Sequence, residues 1–220
     1  MKRKIKVTFF SGLIFIMLFI VWTFAVVSVD VKPVGVNGTS VGFATLNLWF
    51  HNLTKVNMTL YNITDWLGLV PVFICMVFGM LGLFQLIKRR SLLKVDFDII
   101  VLGVYYVIVI LGYLIFEKVP INYRPILIEG FMEASYPSST TLLVLSVMPT
   151  LVFQVNRRLQ NATVKNTIGI LAILFSIFMI IGRLISGVHW FSDIVGSLLL
   201  STGLFWVYKA AVLFCCKEEM

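Results

Sequence analysis

The sequence predicts an all-α integral membrane protein, a bundle of six transmembrane helices. Three observations predict this class. Of the 220 residues, 60% are hydrophobic and only 13% are charged, whereas a soluble domain carries about 25% charged residues. The mean hydropathy is +1.00. The apolar residues are collected in runs that approach the roughly 20 residues needed to cross hydrocarbon. We expect residues 1–220 to form a single transmembrane domain.

Six apolar runs define the predicted helices. The first run is longer than the core of a signal peptide, which spans about 7–15 residues, and no small-residue cleavage site follows it, so we expect it to be retained. The fourth run contains Pro149, which a packed helix bundle tolerates. In order, the predicted helices span residues 7–29, 66–87, 99–116, 138–155, 167–185 and 189–214.

Lysine and arginine in the short connections predict the orientation, because these residues concentrate on the cytoplasmic side of a membrane. Both termini are therefore predicted to be cytoplasmic in a multi-pass protein of the cell membrane. The remaining connections, including a polar loop at 30–65, are predicted to face outward. This distribution also explains the net charge of +8, so we do not expect nucleic acid as a partner. The deciding side chains are Lys2, Arg3, Lys4, Lys6, Lys88, Arg89, Arg90, Lys94, Arg157, Arg158, Lys165 and Lys217.

The predicted outer loop at 30–65 is polar but includes apolar side chains at 43–50, which would suit a helix lying on the membrane surface. It also holds four Asn-x-Thr triplets. These are either glycosylation sites or chance occurrences in a loop rich in Asn and Thr, and we favour chance. The triplets begin at Asn37, Asn52, Asn57 and Asn62. The three cysteines, Cys75, Cys215 and Cys216, have neither metal-ligand spacing nor an evident disulfide partner.

The strongest functional signal lies in residues 182–193, where Arg183, His189 and Asp193 interrupt an apolar region. Charged groups at membrane depth cost at least about 2–3 kcal/mol each, so they are expected to have a partner or a function. His189 and Asp193 are four residues apart, so on a helix they share one face and can touch. A histidine oriented by a carboxylate beside a guanidinium group is the combination that phosphoryl transfer requires.

Two further segments are predicted to lie on the same side of the membrane. One follows the third helix and supplies Lys118 and Arg124. The other begins the fourth helix with Ser138 and Ser139. Fixed cations stabilise the charge on a transferring phosphoryl group, and the start of a helix is a natural anion site. The sequence therefore predicts one composite phosphate site at the outer membrane face.

These segments resemble the type 2 phosphatidic acid phosphatase superfamily, a family of membrane lipid phosphatases. Its third motif, Ser-Arg-x5-His-x3-Asp, is matched in spacing from Arg183 through His189 to Asp193, with Gly182 in place of the leading serine. The resemblance covers residues 118–193 by motif, and the six-helix plan extends it to the whole chain.

The other two motifs of that family are matched in part. The first, Lys-x6-Arg-Pro, is approximated by Lys118 and Arg124, with five intervening residues instead of six. The second, Pro-Ser-Gly-His, is retained at Pro137 and Ser138, but Ser139 and Thr140 replace the glycine and the histidine.

The resemblance implies a role for each matched residue. His189 would be the nucleophile that forms a phosphohistidine, and Asp193 would orient its ring and stabilise the imidazolium. Five residues would bind the substrate phosphate, with no metal or cofactor involved: Lys118, Arg124, Ser138, Ser139 and Arg183.

The family's second-motif histidine would protonate the leaving oxygen, and Thr140 cannot do so. General acid catalysis contributes about 10²–10⁴-fold, so the loss matters most for a strongly basic leaving group such as an alkoxide. A leaving phosphate is far less basic, with a conjugate-acid pKa of about 6. We therefore expect a lipid diphosphate, such as a polyprenyl diphosphate, to be preferred over phosphatidic acid.

Four other side chains are candidates to replace the missing acid: Glu129, Glu133, Tyr136 and His51. Of these, Glu133 would serve only if burial raised its pKa, and no pattern in the sequence ties His51 to the site. His51 and His189 are the only histidines in the chain.

Two other functional classes are compatible with parts of the sequence. An inactive pseudoenzyme that binds phosphorylated lipids would fit the lost histidine, although binding alone needs no oriented nucleophile. A transporter is disfavoured because the ionisable residues cluster at one end of the predicted bundle rather than at mid-depth. Taken singly, Arg183 would also suit an interfacial anchor. The expected partners are a phosphorylated lipid substrate and membrane lipids, and the sequence does not indicate an oligomeric state.

Overall fold

The computed structural model describes residues 2–215, and the predicted C-terminal cytoplasmic residues Cys216 and Lys217 lie outside this range. The all-α class is confirmed, since extended pairing between residues 2 and 215 is limited to isolated β-bridges. Two short 3₁₀ segments, Val36–Gly38 and Leu92–Lys94, lie in connections. The α-helices are α1 (Lys2–Ser28), α2 (Ala44–Thr54), α3 (Met58–Leu67), α4 (Leu69–Arg89), α5 (Phe97–Lys118), α6 (Ser139–Arg158), α7 (Ala162–Ile185) and α8 (Phe191–Cys215).

Six helical segments within the described range are long and apolar enough to span a membrane, as predicted: α1, α3 together with α4, α5, α6, α7 and α8. The second span begins at Met58 rather than near residue 66, because Asn57 caps it by accepting the N–H of Leu60 at 2.9 Å. Pro149 lies inside α6 without ending it. The last span begins at Phe191, two residues later than expected.

The predicted outer loop at 30–65 contains two helices, α2 and α3, rather than being irregular throughout. α2 covers most of the predicted surface helix at 43–50. It is tied to the start of α8 by Asn47, whose amide donates to Ser192 Oγ at 3.0 Å and accepts the N–H of Ser192 at 3.1 Å. Asn47 is fully buried, and a buried amide needs such partners. α2 is therefore packed against the bundle.

The first and last spans, α1 and α8, pack antiparallel along their length. Gly12 and Gly203 allow the two backbones to approach closely: a Cβ on Gly203 would lie 3.1 Å from the carbonyl oxygen of Gly12. Small residues of this kind are typical where membrane helices touch. At the other end of the pair, the indole of Trp22 donates to the carbonyl of Ser192 at 3.1 Å.

The interior of the bundle also contains paired polar groups, which membrane helices use as interhelical links. The hydroxyls of Tyr106 and Thr150 lie 2.9 Å apart, and Gln154 donates to the hydroxyl of Tyr208 at 2.7 Å. These contacts join α6 to α5 and α8. α6 is thereby fixed at the centre of the bundle, and its first residues enter the candidate site.

The two ends of the bundle differ in chemistry. At the end where α4 and α6 finish and α5 begins, called the basic end here, Arg158 binds both carboxylate oxygens of Asp98 at 2.8 Å. Asp96 binds Arg89 at 2.7 Å and Arg158 at 3.2 Å in the same cluster. The opposite end, where α6 and α8 begin and α7 finishes, is the site end and holds the residues considered next.

Candidate active site

The turn between α7 and α8 places His189. Gly187 in this turn has φ +70, and a Cβ there would lie 2.0 Å from the carbonyl oxygen of Lys55. Only glycine adopts this backbone region without strain. The carbonyl of Ser186 accepts the N–H of Asn57 at 3.0 Å. The turn is therefore fixed against the connection between α2 and α3, and His189 is only 4% exposed.

Asp193 lies in the first turn of α8 and is fully buried. Its Oδ2 accepts the backbone N–H of Trp190 at 2.9 Å, a contact of the kind that an acidic side chain makes when it caps the start of its own helix. The indole of Trp190 in turn donates to the carbonyl of Tyr123 at 2.8 Å. The loop before α6 and the start of α8 are therefore held together beside Asp193.

His189 and Asp193 are brought together, but a third residue bridges them. The distance from His189 Nδ1 to Asp193 Oδ2 is 3.6 Å, which is too long for a good hydrogen bond. The Oγ of Ser135 lies 3.1 Å from Nδ1 and donates to Oδ2. Within residues 2–215, neither His189 Nε2 nor Asp193 Oδ1 has a hydrogen-bond partner.

Two buried arginines supply positive charge beside this group. The guanidinium groups of Arg183 and Arg124 pack over the ring of Tyr61, at 4.9 and 5.7 Å from its centroid. Arg183 is 1% exposed and Arg124 7%. Arg183 Nε and Arg124 Nη1 have no hydrogen-bond partner among the residues described. Unpaired, buried guanidinium donors suit an anionic ligand.

Each arginine also has a carboxylate beside it. Arg124 Nε lies 3.0 Å from Glu133 Oε2, and Arg183 Nη2 lies 3.4 Å from Asp65 Oδ1. Arg183 Nη1 also donates to Thr64 Oγ1 at 3.4 Å. Asp65 and Glu133 are partly exposed. A phosphate that bound both arginines would compete with these two carboxylates.

The electrostatics of the site favour a neutral histidine. Burial lowers the pKa of His189 well below its ordinary value, and the charges of Arg124 and Arg183 lower it further. A neutral imidazole has a free lone pair, which a nucleophile needs. With Nδ1 facing Ser135, that lone pair belongs on Nε2.

The remaining predicted phosphate ligands differ in their placement. Ser139 lines a cavity beside Arg124. Ser138 is fully buried, donates its hydroxyl to Thr141 Oγ1 at 3.0 Å and its N–H to the carbonyl of Asp193 at 3.3 Å. Lys118, the last residue of α5, is exposed and does not line the cavity beside Arg124.

Two cavities meet at the site end. The smaller, about 180 Å³, is lined by charged side chains including Arg124, Glu117 and Glu133. The larger, about 350 Å³, is lined mainly by apolar side chains of α4, α5 and α6. Tyr113 and Ser139 border both. The lining of neither cavity includes His189. The smaller cavity is connected to the histidine through Arg124, which lines this cavity and whose charge acts on His189.

The candidate replacement acids are also dispersed. Glu129 is exposed, Glu133 is paired with Arg124, and the hydroxyl of Tyr136 bonds to Thr23 at 2.7 Å in the packed interior. His51 packs near Trp190, with ring centroids 5.7 Å apart, and burial lowers its pKa. Thr140, in the position of the family's acid, shares the larger cavity with Asp65.

Ser135, Tyr61 and Asp65 are site residues that the sequence reasoning did not identify. Ser135 lies two residues before Pro137, where the matched part of the second motif begins, so its closeness to that motif was the available signal. Tyr61 and Asp65 are four residues apart and share a face of α3, a helix that was expected to be loop.

Comparisons with known proteins agree with this architecture. The model of the PAP2 superfamily matches residues 99–215, more than half of the chain. The crystal structure of a transmembrane PAP2-type phosphatidylglycerolphosphate phosphatase from Bacillus subtilis is similar with a TM-score of 0.66 and 16% identity, covering 94% of this chain and 97% of that one. At this identity the likeness establishes the fold. No curated protein matches the chain.

Proposed function

The chain belongs to the PAP2 superfamily, and from this we propose that it removes phosphate from a phosphorylated lipid through a phosphohistidine at His189. Family and fold support a multi-pass membrane lipid phosphatase. The observation that carries the mechanism is the unpaired Nε2 of a buried histidine beside two arginines with unpaired N–H groups. A binding site for a lipid phosphate needs the arginines, but it has no need of the histidine.

The proposed reaction has two steps. The lone pair of His189 Nε2 forms a bond to phosphorus, while the bond from phosphorus to the leaving oxygen breaks and its electron pair stays on that oxygen. Arg124 and Arg183 stabilise the charge on the non-bridging oxygens, and the negative charge of Asp193 stabilises the imidazolium. The oxygen of a water molecule then forms a bond to phosphorus, while the bond from Nε2 to phosphorus breaks and its electron pair returns to Nε2. The protons of the water stay on the released inorganic phosphate or pass to solvent.

The preferred substrate is a lipid diphosphate, such as a polyprenyl diphosphate. Thr140 cannot protonate a leaving alkoxide, whereas a leaving phosphate, with a conjugate-acid pKa of about 6, departs without strong acid assistance. The adjoining charged and apolar cavities, which share Tyr113 and Ser139, support a substrate with a charged head group and a long apolar chain. The chain would enter laterally from the bilayer.

The site end faces away from the cytoplasm in this proposal. The support comes from the arginines and lysines at the basic end, because cytoplasmic loops carry an excess of these residues. In a background without the three native cysteines, a membrane-impermeant maleimide should label a cysteine introduced at Gly130 in intact cells, and one introduced at Ser91 only after the cells are permeabilised. The orientation is wrong if the cysteine at position 91 is the one labelled from outside.

A phosphate-release assay with purified protein in lipid nanodiscs tests the function. The panel contains a polyprenyl diphosphate, a polyprenyl monophosphate, phosphatidic acid and phosphatidylglycerol phosphate, the last because a protein of the same fold is a phosphatase for it. We expect the fastest release from the diphosphate and none from the His189→Ala variant. Equal or faster turnover of phosphatidic acid would reject the substrate preference, and normal turnover by His189→Ala would reject the mechanism.

The alternative is a pseudoenzyme that binds phosphorylated lipids without turnover. It is favoured by one observation, the carboxylates that occupy both arginines, together with the missing acid. The two functions are separated by trapping. Brief incubation with a ³²P-labelled lipid diphosphate, followed by alkaline denaturation, should leave an acid-labile label on the wild type and none on His189→Ala. Lipid binding without any label would establish the binder.

A further inference from the structure

Ser135 is held in a fixed position at the end of the loop that precedes α6. Its backbone N–H donates to the carbonyl of Asn122 at 2.9 Å, and an isolated β-bridge joins the neighbouring residues Tyr123 and Ala134. Its side chain is buried, with the residue 2% exposed. Two bridged segments of the same loop therefore place one hydroxyl group at a defined point between His189 and Asp193.

With Asp193 ionised, the hydrogen bonds at that point fix which atom carries each proton. A serine hydroxyl has one hydrogen to donate and two lone pairs to accept with. Ser135 donates its hydrogen to Asp193 Oδ2, which as a carboxylate oxygen only accepts. The 3.1 Å contact between Ser135 Oγ and His189 Nδ1 must then be a donation from Nδ1–H to the hydroxyl oxygen. This arrangement leaves Nε2 without a hydrogen.

We propose that Ser135 is a positioning residue for the nucleophile: it couples His189 to Asp193 and holds the tautomer in which Nε2 can attack phosphorus. This inference rests on the proposed phosphatase function. At 3.6 Å, His189 Nδ1 and Asp193 Oδ2 are too far apart for a good direct hydrogen bond. In this proposal the hydroxyl of Ser135 connects them instead.

The relay works without moving a proton in the first step. When the Nε2 lone pair forms the bond to phosphorus, the ring becomes an imidazolium that keeps its Nδ1–H. The positive charge strengthens the bond from Nδ1–H to Ser135 Oγ, and the polarised hydroxyl strengthens its own bond to Asp193. Hydrolysis of the phosphohistidine returns the lone pair to Nε2 and the relay to its starting state.

Removal of the hydroxyl should therefore affect catalysis more than binding. In Ser135→Ala, Nδ1–H loses the hydroxyl that links it to Asp193, so the ring can instead carry its hydrogen on Nε2, where it blocks attack. We expect kcat to fall by roughly ten- to a hundred-fold, the cost of one unsatisfied buried group, with KM within about twofold. Ser135→Thr keeps the hydroxyl and should retain most of the wild-type kcat. Ser201→Ala is the matched control. It removes another buried hydroxyl, on α8 about two turns beyond Asp193, and should have the kcat and KM of the wild type.

The tautomer can be read without any substrate. The chain has two histidines, so ¹⁵N-labelled histidine in the His51→Gln background gives the ring signals of His189 alone. We expect a protonated Nδ1 and an unprotonated Nε2 in that background, and a shift of the proton to Nε2 when Ser135→Ala is added. A proton already on Nε2 in the presence of Ser135 would overturn the proposal, as would an unchanged kcat in a folded Ser135→Ala.

The two levels of failure are distinguishable. If no lipid in the panel releases phosphate, the phosphatase function fails, while the ¹⁵N spectrum still decides whether Ser135 holds the tautomer. If Ser135→Ala does not fold, the spectrum of the parent background and the kcat of Ser135→Thr still test the role. Ser135→Thr keeps the hydroxyl. If this variant folds with the wild-type tautomer but its kcat falls as far as we expect for Ser135→Ala, a role that depends on the hydroxyl alone is contradicted.

Discussion

Thr64 and Gly182 are in direct contact where α3 crosses α7. A Cβ on Gly182 would lie 2.6 Å from Thr64 Cγ2, closer than two carbon atoms can approach. The hydroxyl of Thr64 meanwhile accepts a hydrogen bond from Arg183, the next residue on α7. The glycine in place of the family's serine is therefore matched to the threonine on α3, and the pair sets the position of an arginine of the candidate site.

Restoring the family's residue at this position should be harmful. Gly182→Ser forces its Cβ against Thr64, and overpacking of this kind costs about 1–3 kcal/mol. Thr64→Ser removes only the opposing methyl group and keeps the hydroxyl that binds Arg183. Thermal unfolding in detergent should show a lower Tm for Gly182→Ser and recovery in the double variant. Additive effects of the two changes, with no coupling in the double-mutant cycle, would refute the contact.

The three predicted cationic ligands should contribute unequally. Arg124 and Arg183 are buried beside His189, so replacing either by alanine should raise KM for a lipid diphosphate by about ten-fold or more, the scale of a charge-assisted hydrogen bond. Lys118 is exposed at the end of α5, so Lys118→Ala should change KM by less than about threefold. Steady-state kinetics of the three variants decides. If Lys118→Ala raised KM as much as Arg124→Ala does, Lys118 would have to be counted among the residues that bind the substrate phosphate.

His189 should remain neutral at pH values where an ordinary histidine is protonated. Burial, followed by the charges of Arg124 and Arg183, lowers its pKa well below the usual value. An NMR titration of His189 in the His51→Gln background should show no protonation between pH 8 and about pH 6. Arg124→Gln removes one of the two charges, so the pKa should move upward in that variant.

The lowered pKa of His189 also predicts that the free energy of unfolding falls as the pH is lowered. Because the folded pKa of His189 lies below the unfolded one, the unfolded chain binds the proton first as the pH falls. The stability contribution is thus present above an unfolded pKa of about 6.5 and is lost progressively on acidification below it. In His189→Gln, the fall in Tm between pH 7 and pH 5.5 should be smaller than in the wild type. An equal fall in both proteins would show that His189 is not responsible.

The basic end should support the fold without taking part in the reaction. Asp98→Asn removes the carboxylate that binds Arg158 with both oxygens. Because Arg158 is partly exposed, we expect a loss of about 1–3 kcal/mol of unfolding free energy, below the full cost of breaking a buried pair. The kcat and KM of the folded variant should be unchanged. Asp30→Asn, which opens the exposed pair with Lys32, is the control and should lower Tm much less.

The transmembrane spans could be predicted because their signal is local. A run of about 20 apolar residues has one stable arrangement in a bilayer, whatever it packs against. The pattern at 43–50 indicated α2 only as a possible surface helix, and α3 was expected to be loop, because polar and apolar side chains alternate irregularly through 44–67. Their helical state depends on contacts such as the buried amide of Asn47 with Ser192, 145 residues away in the chain.

The candidate site was predicted to the extent that it depends on spacing. Arg183, His189 and Asp193 are close in sequence, so a helix and a turn suffice to bring them together. Ser135 comes from another loop, and a lone serine carries no periodicity that would mark it. Lys118 carries a positive charge close to the spacing of the family's first motif, but no feature of the sequence reveals that it is exposed at the end of α5 and absent from the lining of the cavity beside Arg124.

The glycine contact between α1 and α8 has a consequence for biosynthesis. Among the six described spans α1 is made first and α8 last, yet α8 is packed along α1 and carries Asp193, and the indole of Trp22 donates to the start of that helix. At about 5–20 residues per second, translation separates the two helices by roughly ten seconds or more. Throughout that interval α1 has no permanent neighbour on its glycine face. The candidate site is therefore assembled only after α8 has been made, so under the proposed function a chain that still lacks α8 should not act on the lipids around it.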